Sequence, residues 1–502
     1  MAAHAQAAVG RVSEEPVLEY AIHPVRAAGA EVSAMQVRVR IGAPSTMRGP
    51  FSLRAPLVYA GVRGIANGME NMQARDQVGV IPLQRSDDAP DRSGFARYRH
   101  WRAQRGVEFP VTVTYRFRLP TDVPVVGPQF DVRATGGGFS GSGLGFLVML
   151  EEGPRQFRSR VRWDLSELAP GSVATSTFGD GDVEVRGDAV RAHHAFYMVG
   201  PLSRYPARGD DAGLVATWLS DPPFEPIGEL QWASRMYDYL RRFFRDTSSA
   251  GSFHAFLRPL AGMAGSPGTA LRNSFMLAVP LRGEQTDSAR LATSPRETIA
   301  HEMVHYWATG LVGEPGANAW FNEGLATHYA RLLSLRAGLS SLDSYIQSAN
   351  AAARAYYLSP ARNLTLDSLR ALGFSGGVGP TSPQNMPYVR GSLYFADLDA
   401  RLRAASDGRL GLDDILVPLF ARIRRGARVD WKGFVDLVVR ELGPSARDQF
   451  EAVILRGETI VPAPDAYGPC FRRRDVKLKT ADAVVDGYEW ERVPEVPEER
   501  CR

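Results

Sequence analysis

Between about Glu15 and Pro201 the chain alternates apolar and polar residues in short runs. Val37, Val39 and Ile41 alternate with Gln36, Arg38 and Arg40, and Val111, Val113, Tyr115, Phe117 and Leu119 alternate with threonines and arginines. A period of two marks strands with one buried face, so an antiparallel, sandwich-like β domain is predicted over 15–205. Asp210 to Pro226 is rich in Gly, Asp and Pro, and beyond it the period lengthens to about 3.6, which puts a domain boundary near 206. Leu230, Ala233, Tyr237, Leu240 and Phe244 then fall on one stripe of a helix. Past residue 290 the periodic segments are helical, among them Tyr388 to Ala404, Leu412 to Arg424 and Trp431 to Leu442. The expected fold class is α+β and multidomain: a β domain, a second domain over 206–340, an α-helical domain over 341–460 and an extended tail over 461–502. Residues 1–14 are expected to be disordered.

Composition narrows the partners. The chain of 502 residues is 44% hydrophobic and 23% charged and has no apolar run near the ~18 residues that cross a bilayer, so no integral membrane segment is expected. A net charge of +4 spread over scattered arginines argues against a nucleic-acid partner. The two cysteines, Cys470 and Cys501, lack the spacing of zinc-ligand pairs and are either a disulfide or two thiols. Ala3-His4-Ala5 and Ala5-Gln6-Ala7 resemble a signal-cleavage site, which suggests a mature exported protein, periplasmic or secreted, with a cytoplasmic one as the alternative. Oligomeric state is not legible.

The chemistry concentrates around residue 300. Ser294-Pro295-Arg296-Glu297 reads as a helix start, with Ser294 as cap and Glu297 closing a capping box. His301-Glu302-Met303-Val304-His305 follows, placing two imidazoles one turn apart on one helix face with Glu302 beside them. The alternative, two ordinary histidines of an amphipathic helix, is weakened by what comes next. After the loop Gly310 to Gly316, Ala319-Trp320-Phe321-Asn322-Glu323-Gly324 opens a second helix, and an antiparallel pair of helices would bring Glu323 to the two histidines. His301, His305 and Glu323 are thus the expected ligands of one Zn2+, with Glu302 as general base; Thr327, one turn beyond Glu323, is either a hydrogen-bond partner of a ligand or a plain helix-surface threonine.

These motifs resemble those of the gluzincin metallopeptidases, among them alanyl aminopeptidase, leukotriene hydrolase and the PDZ-associated glycyl aminopeptidases. The order of parts is similar over most of residues 15 to 460: β domain, His-Glu-x-x-His helix, Asn-Glu-Gly helix, helical domain. The resemblance implies a thermolysin-like catalytic domain over 206–340 and a peptide substrate, cleaved at N-terminal residues in the first instance. Pro387-Tyr388-Val389-Arg390-Gly391 looks like the Tyr-x-Lys/Arg-Gly segment of these enzymes, which gives Tyr388 the role of oxyanion donor. Gly268-Thr269-Ala270-Leu271-Arg272-Asn273-Ser274 is similar to the strand that holds the substrate's amine in the glycyl branch, and implies substrate contacts for Arg272 and Asn273. Its acidic anchor is missing, with Ala270 in its place. Endopeptidase action, a non-peptidase zinc hydrolase and a binding protein without turnover therefore stay open.

Other signals carry less. Asn67-Gly68-Met69-Glu70-Asn71 imitates an amine-anchor motif but lies more than two hundred residues before His301, in the β domain. Gly136-x-Gly138-x-x-Gly141 satisfies a dinucleotide pattern without the helix that would receive a pyrophosphate. His193-His194 and Arg472-Arg473-Arg474 read as structural and solvated groups.

Overall fold

The computed structural model describes residues 15–27, 31–42, 50–90, 95–121, 127–151, 156–208, 213–248, 251–261, 266–281, 294–308, 310–314, 316–373, 379–480 and 483–501. The expectations for residues 1–14 and for part of the Asp210 to Pro226 linker lie outside them.

The alternating segments form the predicted strands. Val32–Ile41 pairs antiparallel with Val111–Arg118, Val37 opposite Tyr115 and Val39 opposite Val113, and this alternate set of side chains is buried. Among the described residues these strands belong to a seven-stranded sheet, flanked by a second sheet around Gly138–Ser142 and Phe196–Gly200 and a third around Ser52–Tyr59 and Ala96–Ala103. One apolar cluster, from Leu18 to Val199, is shared by all three. Among the described residues the domain departs from the antiparallel expectation at one place: Val17–Arg26 and Phe157–Trp163 run parallel.

A mixed sheet follows, ordered Ser203–Tyr205, Leu214–Trp218, Phe253–Leu260, Ser274–Pro280 and Gly268–Leu271. Ser203–Tyr205, which the sequence reading left in the β domain, pairs with Leu214–Trp218 and belongs here. The stripe Leu230, Ala233, Tyr237 and Leu240 is buried on the helix Pro226–Phe243. Helices Leu412–Arg424 and Trp431–Leu442 fall where the 3.6 period put them. A single apolar cluster runs from Leu214 in the sheet to Trp490 near the end of the chain.

The stretch 461–502 is the main correction. It is no extended tail: Phe471–Lys479 and Val484–Arg492 form an antiparallel hairpin, and Cys470 is joined to Cys501 by a disulfide. Asn350 holds the hairpin through two 2.8 Å hydrogen bonds, its amide donating to the Trp490 carbonyl and its oxygen accepting the Trp490 N–H. No helix among the described residues is long and apolar enough to cross a membrane.

Candidate metal centre

The histidine helix is Arg296–Trp307, one residue later than its capping motif suggested. The capping box does not form. Ser294 Oγ donates to Glu229 Oε2 at 2.9 Å, and Glu297 turns to Arg331 Nε of the next helix at 2.8 Å. Burial disfavours the charged form of Glu297, but Arg331 and Ser348 outweigh it and hold its carboxyl below the usual range. An ion pair therefore ties the histidine helix to the glutamate helix, Ala319–Arg336, where a cap was expected.

The third helix of the site, Met386–Ala405, crosses the glutamate helix with backbones in contact. A Cβ on Gly324 would lie 2.4 Å from Gly391 Cα, and one on Gly391 only 2.2 Å from the Trp320 carbonyl oxygen. Both motif glycines thus serve one close approach, which brings Tyr388 over the site. The neighbouring Arg390 is buried and braces the helix, donating to the carbonyls of Arg362 (2.7 Å) and Leu364 (2.9 Å).

These elements bring His301, His305 and Glu323 together. His301 Nε2 is 3.1 Å from Glu323 Oε2 and 3.1 Å from His305 Nε2, which is 3.3 Å from Glu323 Oε2. Tetrahedral ligands about 2.0–2.1 Å from a zinc ion lie roughly 3.4 Å apart, so the triangle fits three of four positions around one ion. His301 Nδ1 lies 3.3 Å from Thr327 Oγ1, the partner expected one turn after Glu323. Electrostatics also favour a cation here: burial disfavours charge on His305, yet Glu323 prevails and pushes it up to about 9, while Glu323, despite burial, is held well below the usual carboxylate range by the two imidazoles.

Glu302 is buried beside the triangle, and burial pushes its carboxyl up, partly offset by His301, His305 and the neighbouring Ala270 N–H. Tyr388 stacks on His301 with ring centroids 5.7 Å apart and feels the charge of Glu323. The charge of Glu323, then burial, raises its pKa well above that of a free phenol, so the hydroxyl keeps its proton.

A cleft of about 1150 Å³ opens on these groups, and a second cavity of about 700 Å³ meets it at Phe95, Asn322, Glu323 and Tyr388. The edge strand Gly268–Leu271 forms one wall and Arg272 lines it; Asn273 occupies the turn to Ser274–Pro280, with φ 61°. Tyr59, Phe95 and Phe130 of the β domain form another wall. Sequence reasoning missed them, since nothing local marks an aromatic residue that reaches a cleft through docking between domains.

The remaining signals fall elsewhere. Glu70 pairs with Arg118 at 2.9 Å on the β domain, and Gly136 and Gly137 form the turn between two strands. His193 is buried, its Nε2 on the Val148 carbonyl at 3.2 Å, and Arg472, Arg473 and Arg474 lie in the hairpin.

No protein-family model and no curated protein matches the chain. Solved structures do. An aminopeptidase N family protein from Idiomarina loihiensis is similar with a TM-score of 0.70 at 14% identity, over 91% of this chain and 79% of that one. A mutant M1 zinc metallopeptidase from Deinococcus radiodurans, bound to a Tyr-Ser-Ala substrate, gives 0.50 at 17% identity over 90% and 97%. Native yeast LTA4 hydrolase gives 0.52 at 14% identity over 90% and 69%. The chain therefore has the fold of the M1 zinc aminopeptidases and LTA4 hydrolase, in agreement with the gluzincin resemblance of its motifs.

Proposed function

We propose that this protein is a zinc-dependent peptidase. One observation carries the reading: His301, His305 and Glu323 form a triangle of zinc-ligand dimensions with a buried carboxyl and a protonated phenol at its edge. Zinc held there supplies Lewis acidity, lowering the pKa of water and polarising a carbonyl. Glu302 accepts the proton of the attacking water and returns it to the leaving amine. The Tyr388 hydroxyl donates to the oxyanion as it develops, an interaction worth about 3–4 kcal/mol where a single donor has been removed elsewhere. Thr327 orients His301.

A peptide suits the cleft. As an edge strand, Gly268–Leu271 has backbone groups that its sheet does not use, and an extended substrate pairs with such an edge. The neighbours named as aminopeptidases support action at N-terminal residues as the first reading. A second reading, cleavage of N-blocked or internal bonds, is favoured by Ala270, whose methyl cannot hold an α-ammonium. In the larger cleft, apart from Glu302 and Glu323, Asp246 is the carboxylate among the described lining residues, and it already accepts from Trp307 Nε1 at 2.7 Å and from the Ser248 N–H at 2.9 Å. The Cys470–Cys501 disulfide supports a periplasmic or secreted location.

Fluorogenic amino-acid amides, assayed beside N-blocked peptides with and without a chelator, test both readings. Chelator-sensitive hydrolysis of the amides is expected. Hydrolysis of blocked peptides alone selects the second reading, and chelator-insensitive activity or none at all removes the zinc peptidase.

A further inference from the structure

The β domain and the mixed sheet are joined over a buried cation. Arg258, in the strand Phe253–Leu260, is wholly buried, and all five of its N–H donors are used. Nε donates to Ser140 Oγ (3.0 Å), one terminal nitrogen to Gln129 Oε1 (3.3 Å) and Asp131 Oδ1 (2.8 Å), and the other to the carbonyls of Asp131 (2.8 Å) and Ser140 (3.0 Å). A buried charge is tolerated only with such a complete set of partners, so the segment Gln129 to Asp131 is fixed against the catalytic sheet.

From that fixed segment a short relay reaches the candidate base. The Gln129 N–H donates to Thr269 Oγ1 at 2.8 Å, and Thr269 Oγ1 donates its one proton to the Gly268 carbonyl at 2.8 Å. Thr269 sits on the edge strand between the two residues that abut Glu302. A Cβ on Gly268 would lie 2.5 Å from Glu302 Cγ and 2.6 Å from Oε1, and the neighbouring Ala270 N–H favours the charged carboxylate. Successive side chains of a strand point to opposite faces, so at residues 268 to 270 the β domain pins one face and Glu302 rests against the other.

We infer that Thr269 is a positioning residue, through which the docked β domain sets the distance between the edge strand and Glu302; the inference rests on Glu302 being the base. Without the hydroxyl, the buried Gln129 N–H loses its acceptor and the Gly268 carbonyl its donor. The strand then relaxes and Gly268 no longer holds the Glu302 side chain in place, and misplacements of about 1 Å cost on the order of 10²-fold in rate.

Thr269→Val keeps the shape and removes the hydroxyl, whereas Thr269→Ser keeps the hydroxyl. On a peptide that the parent protein cleaves, Thr269→Val is expected to lower kcat at least about tenfold with KM within about twofold, zinc still one per chain, and Thr269→Ser within about threefold of the parent. A threonine that only supports the fold lowers the melting temperature and leaves kcat per folded molecule unchanged. Parent-like kcat in Thr269→Val, or equal impairment in Thr269→Ser, overturns the inference. Calorimetric binding of a peptide hydroxamate, whose N–H and O–H face the base, gives a readout without turnover. Binding weakened at least about fivefold in Thr269→Val alone upholds the inference, and equal affinity in all three proteins overturns it. Should the parent cleave no peptide, the peptidase reading fails while the hydroxamate comparison still decides on Thr269.

Discussion

Glu302 is the residue on which the proposed chemistry turns, and its surroundings make two substitutions informative. Glu302→Gln keeps the side-chain volume and leaves His301, His305 and Glu323 in place. It is expected to bind one zinc per chain and to lose about 10²–10⁴-fold in kcat, the usual worth of a positioned acid–base group. Metal analysis beside steady-state rates checks this, and parent-like turnover would remove Glu302 from the mechanism. Gly268→Ala tests the same carboxylate from outside. Residue 268 does not have the left-handed backbone that favours glycine, so the methyl costs little except where it meets Glu302, 2.5 Å from Cγ. Activity should fall on the order of 10²-fold while the thermal midpoint moves by only a few degrees. A large loss of stability instead would show that the strand cannot accept a side chain. At this scale the sequence spoke through spacing: two histidines four apart must share a helix face. It was silent on Thr269 and on Phe95 and Phe130, whose contacts depend on segments more than a hundred residues away.

Elements were legible where one period ran long enough to be unambiguous. Leu412–Arg424 and Trp431–Leu442 carry apolar residues every three or four positions, and helices form there. The end of the chain failed that test for a physical reason. In Phe471–Lys479 the ends, Phe471 and Leu478, are buried, while Arg472, Asp475 and Lys477 lie between them, so the strand alone shows no alternating face. Its partner adds Trp490, and the core residue Tyr357 and the part-buried Asn350 complete the contact. The capping box misled for a related reason: Ser294 Oγ still accepts the Arg296 N–H at 3.4 Å, but Glu297 found Arg331 in the folded chain. Because the hairpin buries little of its own, the disulfide has much to hold. The cysteines are 31 positions apart, and closing a loop of that length in the unfolded chain is worth about 3–4 kcal/mol in the chain-entropy model. The double variant Cys470→Ala and Cys501→Ala should therefore unfold at lower urea concentration and expose the hairpin to proteolysis before the rest of the chain. A parent-like midpoint and digestion pattern would show that packing on Asn350 and Tyr357 suffices.

For the whole molecule, the two large cores and the buried Arg258 between them make stability depend on groups far from the metal. His193 lies in the β-domain core with no exposure, and burial lowers its pKa to about 3; His328, buried on the glutamate helix, is lowered to about 4. Unfolded, both titrate near 6.5. Between the folded and unfolded values the unfolded chain binds more protons, so stability is complete above about pH 6.5 and is lost as pH falls toward 4. Each imidazole contributes a slope of about 1.4 kcal/mol per pH unit, or nearly 3 for the pair. His23 works in the other direction, since Glu167 raises its pKa and its charge favours the fold at low pH, but it is partly exposed and its share is small. The carboxyls lowered by arginines, such as Asp131, add to the loss only nearer their own unfolded values, around pH 4. Between pH 6.5 and 5 the difference in slope between the parent and a His193 variant therefore isolates His193, since Glu302, His194 and His305 are common to both. Urea unfolding should be followed there on chelated protein, so that metal release does not enter. His193→Gln, which keeps a donor for the Val148 carbonyl but does not titrate, should lose stability over this interval with a slope shallower than the parent's by about one group. An unchanged slope in that variant would mean that water reaches the β-domain core and that His193 is not held neutral by burial.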